Sequence, residues 1–273
     1  MLPDDYRHMA RALLLARRGL YSTDPNPRVG CVLVRDGEIV GEGWHERTGK
    51  PHAEANALEI AGGSARGATA YVTLEPCCHY GRTPPCTDAL MAAGITRLVA
   101  AMSDPNPQVA GKGLAILRDA GITVDCGVLE TEARALNPGF TQRMIAGRPF
   151  VRVKLAMSLD GRTALASGES RWLTDEAARQ DVQRLRARSS AVLTGSGTLL
   201  ADDPGLNVRL AEATRQPLRV ILDTALRTPP TAKTLRLPGP VLIFTASADP
   251  AKRAALRAAG ADIASVPSAE GGL

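Results

Sequence analysis

Aromatic side chains are scarce: three Phe, two Trp and four Tyr amount to 3% of 273 residues. A platform that stacks single-stranded nucleic acid needs repeated aromatic faces, and this sequence does not supply them. No apolar run reaches the ~20 residues of a membrane-spanning helix, so no membrane partner is expected. Lys and Arg outnumber Asp and Glu by 33 to 28, for a net charge of +5, and the cations are dispersed rather than gathered in blocks. That excludes a basic nucleic-acid-binding arm and suits an enzyme handling anionic small molecules. The five cysteines, Cys31, Cys77, Cys78, Cys86 and Cys126, are odd in number and follow no leader-like opening. They predict a reducing, cytoplasmic setting and use of metal rather than disulfides.

What the sequence does hold is concentrated between Pro51 and Cys86. Pro51-His52-Ala53-Glu54 opens the stretch, and Glu75-Pro76-Cys77-Cys78-His79-Tyr80-Gly81-Arg82-Thr83-Pro84-Pro85-Cys86 closes it. His52 and Glu54 fall in the first turn of a helix expected over 52–60. Cys77 follows a β-like run, Ala70-Tyr71-Val72-Thr73-Leu74. One His and two Cys suit a catalytic zinc site with a fourth position open to water, whose pKa the metal lowers. Glu54, not itself a ligand, is then placed to carry the proton. H-x-E followed by P-C-x-x-C is the signature of zinc deaminases acting on nucleobases. Here H-x-E and P-C are intact and an eight-residue insert separates Cys77 from Cys86. A structural zinc site would more often show paired C-x-x-C hooks. A lone H-x-E would carry nothing, but His52, Glu54, Pro76, Cys77 and Cys86 in register are hard to obtain by chance.

The remaining pattern predicts an α/β protein. Met9, Leu13, Ala16 and Leu20 recur at helical spacing over 4–20, with Asp4 or Asp5 as cap. Strands over 29–35 and 38–44 flank an Asp36-Gly37 hairpin turn. Helices are expected over 85–93, 112–120 and 130–143, with strands over 97–101 and 122–126; Cys31 and Cys126 read as packing residues. Strands alternating with helices after a hairpin suggest a layered α/β domain with a mixed sheet. Gly147-Arg148-Pro149 marks a boundary, giving domains over 1–146 and 149–273. The second starts with an alternating strand over 150–157. A helix over 174–188 capped by Thr174 follows, then strands over 191–194, 218–222 and 241–244 and a helix over 251–259, consistent with a mostly parallel sheet. The turn Gly195-Ser196-Gly197-Thr198 could cradle a phosphate through backbone N–H groups, although such turns are commoner as plain turns. Arg186 and Arg209 are anion-binding candidates, each more often a solvated charge when taken alone.

H-A-E with P-C-x-H-x-G-R-T-P-P-C resembles the bifunctional deaminase–reductase family of riboflavin biosynthesis. The likeness extends to Asn26-Pro27 with Val29-Gly30, Asp104-Pro105-Asn106-Pro107, and Lys154-Leu155-Ala156-Met157-Ser158-Leu159-Asp160-Gly161-Arg162-Thr163. It continues through Ala166-Ser167-Gly168-Glu169-Ser170-Arg171-Trp172 and Leu200-Ala201-Asp202-Asp203-Pro204, and so spans nearly the whole sequence. It implies a cytidine-deaminase-like three-layer α/β/α domain followed by a dihydrofolate-reductase-like α/β domain, in a cytoplasmic homo-oligomer. It implies two consecutive steps on a phosphoribosyl pyrimidine: zinc-dependent hydrolysis of an amino group to a carbonyl, then reduction of the ribosyl to a ribityl chain with NADPH. By position, His52, Cys77 and Cys86 resemble the zinc ligands and Glu54 the proton shuttle. Ala156, Trp172, Thr198, Asp202 and Thr224 match positions that contact NADP. Ser170, Arg186, Leu206 and Arg209 match positions that contact the substrate, and arginine suits its phosphate because it binds phosphate bidentately.

Two departures bear on the expectations. Cys78 stands where a small polar residue is usual. The family pattern continues with a further helix and a Val-Glu-Gly-Gly-like loop, whereas this sequence stops at Ala269-Glu270-Gly271-Gly272-Leu273. The reductase half is therefore expected to be incomplete, with a deaminase-only protein as the alternative. A tRNA-editing deaminase shares H-A-E and P-C, but the insert, the second domain and the dispersed charge count against it. A non-catalytic scaffold with structural zinc is the remaining class.

Overall fold

In the computed structural model, which describes residues 2–81, 84–170 and 172–267, Met9, Leu13 and Ala16 form the buried face of α1 (Pro3–Ala16). The helix is shorter than its spacing suggests and tightens into a 3-10 turn over Arg17–Gly19. Its cap position is taken by Leu2, whose N–H is accepted at 2.7 Å by the Asp5 carboxylate reaching back from the first turn. The chain divides into two compact units, Met1–Val153 and Lys154–Leu273.

In the first unit, β1 (Gly30–Arg35) and β2 (Glu38–Trp44) form an antiparallel hairpin. Its turn residues Asp36 and Gly37 both have positive φ, 52° and 83°, as a primed turn between twisted strands requires. Then come α2 (Ala53–Ala61), β3 (Thr69–Val72), α3 (Cys86–Ala92), β4 (Arg97–Ala100), α4 (Lys112–Asp119) and β5 (Thr123–Cys126). The sheet order is β2-β1-β3-β4-β5, with β3, β4 and β5 mutually parallel. Alternate strand residues serve opposite faces. Leu33, Val72 and Leu98 pack with Ala57, Leu90 and Leu117 of α2, α3 and α4. Val32, Tyr71 and Val99 pack with Met9 and Leu13 of α1 and with Ala133 and Phe140 of α5 (Glu130–Leu136) and α6 (Pro138–Ala146). The result is the α/β/α sandwich with a mixed sheet that the sequence suggested. The single helix expected over 130–143 is broken instead at Asn137. Pro138 supplies no N–H, and the Asn137 amide bonds the Arg28 main chain at 2.8 and 2.9 Å.

The second unit holds α7 (Glu176–Ala187), β6 (Ala191–Gly195), α8 (Ser196–Asp202), β7 (Leu218–Leu222), α9 (Lys233–Arg236), β8 (Val241–Thr245), α10 (Pro250–Ala258) and β9 (Asp262–Ser265). Its sheet is parallel throughout, in the order β6-β7-β8-β9. The sequential parallel strands are joined through α8, α9 and α10, which share one buried cluster on the sheet. There Leu199, Leu235 and Leu256 pack on Ile221 and Ile243.

Three expectations change here. The 150–157 segment is not a strand: Val151, Val153, Leu155 and Met157 are 73%, 77%, 64% and 54% exposed. Alternation alone does not make a strand, which needs a neighbouring edge to satisfy its backbone. Thr174 does not cap α7; Asp175 does, its Oδ1 accepting the Ala178 N–H at 2.8 Å. The Gly195–Thr198 stretch is not a free turn but the end of β6 running directly into α8. Ala269–Leu273, Arg82, Thr83 and Arg171 lie outside the described residues.

One buried charge network ties α1 to the sheet. Asp5 accepts from both Arg97 guanidinium nitrogens at 2.8 and 3.0 Å and from the Tyr71 hydroxyl at 3.0 Å, while Arg97 also grips Asp125 at 2.6 Å. The Arg97 hydrogen bonds, opposed by burial, hold the Asp5 carboxyl well below the usual carboxylate range. A folded-state pKa below the unfolded value of about 3.9 contributes stability above that pH and loses it as pH falls. Asp5→Ala is expected to cost about 3 kcal/mol at pH 7, because it removes the buried partner of Arg97 and Tyr71 and leaves Arg97 only the half-exposed Asp125, and that deficit should shrink below pH 4. Urea unfolding of both proteins at pH 7 and pH 3 checks this, and a deficit independent of pH would contradict it.

Candidate metal centre

His52 is the residue that precedes α2, with extended backbone (φ −75°, ψ 166°), and Glu54 lies in the helix's first turn. The helix can reach this place because β2 carries glycine where α2 crosses it. A Cβ on Gly41 would overlap the Ala57 carbonyl, and one on Gly43 the Ala53 carbonyl. Cys77 lies just beyond β3, at the carboxyl end of the parallel strands where α/β sites gather. Cys86 is the first residue of α3. The Thr87 N–H donates to the Cys77 carbonyl at 3.2 Å, and the Cys86 N–H reaches the Cys77 sulfur at 3.4 Å.

These elements bring His52, Cys77 and Cys86 together, with one ligand atom from each lying within 4.8 Å of the others. His52 Nδ1 lies 3.3 Å from Cys86 Sγ and 3.5 Å from Cys77 Sγ. A tetrahedral zinc ion with bonds of about 2.0 Å to nitrogen and 2.3 Å to sulfur separates its donors by roughly 3.5 Å. The donor set therefore fits that ion by chemistry and by spacing. Cys78 is outside the set; it is half-buried, and burial pushes its thiol up.

The electrostatics follow from burial and mutual contact. The Cys77 thiol is pulled down to about 4, chiefly by hydrogen bonding from Cys86, with His52 adding to it. The Cys86 thiol rises in return, because it is the donor of that pair. His52 is raised by its bond to Cys77. Glu54, 3% exposed, is pushed up to about 7 by burial and by the Cys77 charge, against the opposing pull of His52. His45 stands edge-on to His52, ring centroids 5.4 Å apart. Its Nδ1 donates to the Pro51 carbonyl at 3.0 Å, which leaves Nε2 to accept from the Asn26 amide at 3.2 Å.

Glu54, His52 and Cys77 open onto a cavity of about 450 Å³. Asn26, His45, Lys50, His79, Asp104, Asn106 and Arg143 also line it. Asp104 is raised to about 6, burial being the main cause. Asn26, Asp104 and Asn106 belong to motifs visible in the sequence, though none stood out as a site residue. His45, Lys50, Phe140, Arg143 and Met144 carry no sequence signal, because only the folded chain brings the start of α2 near the end of α6.

In the second unit Arg186, Leu206 and Arg209 meet at Asn207. Arg186 donates to the Asn207 carbonyl at 3.3 Å and Arg209 to its side-chain oxygen at 3.4 Å, while Leu206 is buried beside them. Burial, then the Arg209 charge, lowers Arg186. Thr198 lies on α8 after β6 and Thr224 follows β7, so both stand at the carboxyl edge of the parallel sheet, with Asp202 at the end of α8. Ala156, Ser170 and Trp172 fall on the 154–173 stretch, which carries no helix or strand among its described residues. Trp172 is 73% exposed, and its ring is covered by the Arg179 guanidinium at 4.6 Å.

A zinc-type deaminase unit followed by a parallel α/β unit is the class that this fold and donor set define. Residues 3–102 match the cytidine and deoxycytidylate deaminase zinc-binding region, and residues 149–267 match the RibD C-terminal domain. The chain is 57% identical to riboflavin biosynthesis protein RibD of Escherichia coli over 250 residues, covering 87% of this chain and 68% of that one. It is 49% identical to RibD of Aquifex aeolicus over 242 residues, covering 88% and 68%. Among solved structures, Acinetobacter baumannii RibD matches with a TM-score of 0.92 at 52% identity, over 98% of this chain and 75% of that one. A diaminohydroxyphosphoribosylaminopyrimidine deaminase/5-amino-6-(5-phosphoribosylamino)uracil reductase from Thermotoga maritima matches at 0.85 and 39%, over 97% and 81%. The chain belongs to the RibD family of riboflavin biosynthesis proteins. No described helix is long and apolar enough to cross a membrane.

The purified protein is expected to hold about one zinc per chain, as one His and two Cys imply. Cys86→Ser should lose it and Cys78→Ser should keep it, read by metal analysis after gel filtration. Zinc lost from Cys78→Ser and kept by Cys86→Ser would contradict the ligand assignment.

Proposed function

We propose that the chain catalyses two consecutive steps of riboflavin biosynthesis. The first converts 2,5-diamino-6-(5-phosphoribosylamino)pyrimidin-4(3H)-one with water into 5-amino-6-(5-phosphoribosylamino)uracil and ammonia. The second reduces the ribosyl group of that product to a ribityl chain, with NADPH as the two-electron donor. The observation that carries the first step is the convergence of His52, Cys77 and Cys86 beside buried Glu54 on one cavity.

His52, Cys77 and Cys86 would hold the zinc, which when bound acts as a Lewis acid on water and on the reacting centre. Glu54 does the proton work. It takes a proton from the attacking water and passes it to the departing amino group, so that ammonia leaves and a carbonyl remains. Its burial keeps bulk water from competing for that proton, and its place two residues after His52, in the first turn of α2, holds it beside the reacting atoms. Lys50 and Arg143 on the cavity lining suit an anionic substrate.

In the second unit Thr198, Asp202 and Thr224, with Ala156 and Trp172, would hold the dinucleotide. The placement of Thr198 and Thr224 after adjacent parallel strands supports this, since nucleotides bind outside the carboxyl ends of such strands. Arg186, Leu206 and Arg209, with Ser170, would take the phosphoribosyl group. Two arginines meet at one asparagine with no ion pair to either among the described residues, and an arriving phosphate would offset their like charges. Five free cysteines support a cytoplasmic setting, and a homo-oligomer completes the reading.

Glu54→Gln is expected to retain zinc and lose at least about 100-fold in deamination, the scale of a general acid–base contribution. Supplied with the deaminated ribotide, the same variant should still oxidise NADPH at the wild-type rate. Ammonia release and nicotinamide absorbance measure the two steps separately. Near-normal ammonia release from Glu54→Gln would remove Glu54 from the mechanism.

A further inference from the structure

Glu75 lies two residues before Cys77, is 3% exposed, and does work that zinc ligation does not account for. Its Oε2 accepts the Asp104 N–H at 3.0 Å and the Gly111 N–H at 2.9 Å. Its Oε1 accepts the Gly113 N–H at 2.9 Å and the Leu114 N–H at 3.3 Å. Four backbone donors thus close on one carboxylate, two from the segment that joins β4 to α4 and two from the first turn of α4. That segment supplies Asp104, Asn106 and Val109 to the cavity lining. It is otherwise held by its own short turns: Asp104 accepts the Asn106 N–H at 2.8 Å and Asn106 accepts the Gln108 N–H at 3.1 Å. Glu75 itself is anchored through its main chain, whose N–H donates to the Met102 carbonyl at 3.0 Å. Gly113 allows the approach, because a Cβ there would overlap the Pro76 carbonyl and come within 3.2 Å of Glu75 Oε1.

We propose that Glu75 is a positioning residue for deamination: it fixes the distance between the metal centre and the 104–109 wall, and so the width of the slot that receives the pyrimidine. The inference rests on the deaminase reading of the same cavity. One side of the slot is set by Cys77, covalently two residues away, and the other by the amides that the Glu75 carboxylate gathers. A residue coupled to both sides transmits any shift directly to the width of the slot, and so to how tightly the ribotide is held before reaction.

The test is Glu75→Gln, which keeps the shape but turns one oxygen into an NH2 group facing two N–H donors. It is expected to keep its zinc, to hold kcat within about threefold, to raise KM for the diaminopyrimidine ribotide about tenfold or more, and to speed amide exchange at Gly111 and Gly113. Glu75→Asp, which keeps the charge but draws the carboxylate back from the amides, should raise KM likewise and decides the matter alone if Glu75→Gln does not fold. A lower thermal midpoint with KM unchanged would reduce Glu75 to a brace and overturn the proposal, as would loss of zinc. If the wild-type protein releases no ammonia from the ribotide, the deaminase reading fails, and unchanged exchange in Glu75→Gln would then overturn the clamp on its own evidence.

Discussion

The approach of α2 to the β1–β2 hairpin is the constraint on which the first unit depends. Gly41 and Gly43 alternate with Val40 and Glu42 on β2, so they present bare backbone to the helix. The helix answers with Ala53, Ala57 and Ala61, its smallest residues on that side. Any larger residue at this crossing lifts α2 off the sheet and carries His52 and Glu54 away from Cys77. With helix and hairpin in this contact, the Cys77 sulfur beyond β3 lies 3.5 Å from the His52 ring nitrogen.

A second consequence concerns charge. Two buried carboxylates of the unit, Asp5 and Glu75, are both satisfied by hydrogen bonds, one from a guanidinium, a phenol and the Leu2 amide and the other from four amides. Glu54 differs: burial and a neighbouring thiolate push it toward neutrality. Carboxyl groups of one type therefore divide into framework and chemistry according to whether donors are arranged around the charged form. The second unit uses charge for structure as well. Fully buried Arg219 donates to the carbonyls of Thr234, Leu237, Pro238 and Gly239 and so closes the loop from α9 to β8.

Much of this was legible in the sequence because the ligands sit in tight local patterns. His52 and Glu54 share a helix turn, and Pro84-Pro85 before Cys86 announces the start of α3. The paired strands of the hairpin and the parallel strands at 97–100, 218–222 and 241–245 were visible from apolar runs between turn residues. What could not be read depends on contacts distant in sequence. Glu75 stood out only as the residue before Pro76-Cys77, since its amide partners lie 29 to 39 positions away. His45 and Arg143 join the cavity only through folding. The 150–157 segment failed in the opposite sense: its alternation is plain, but a strand is made by a neighbour and not by a pattern.

The central claim is that His52, Glu54, Cys77 and Cys86 together hydrolyse a ring amino group of a pyrimidine ribotide. The most direct measurement incubates the zinc-loaded protein with 2,5-diamino-6-(5-phosphoribosylamino)pyrimidin-4(3H)-one in 18O-labelled water, without NADPH, and weighs the product by mass spectrometry. The account predicts the uracil ribotide carrying one 18O atom in the new carbonyl, with one ammonia released per turnover. Recovery of the unchanged diaminopyrimidine from zinc-replete protein would contradict it.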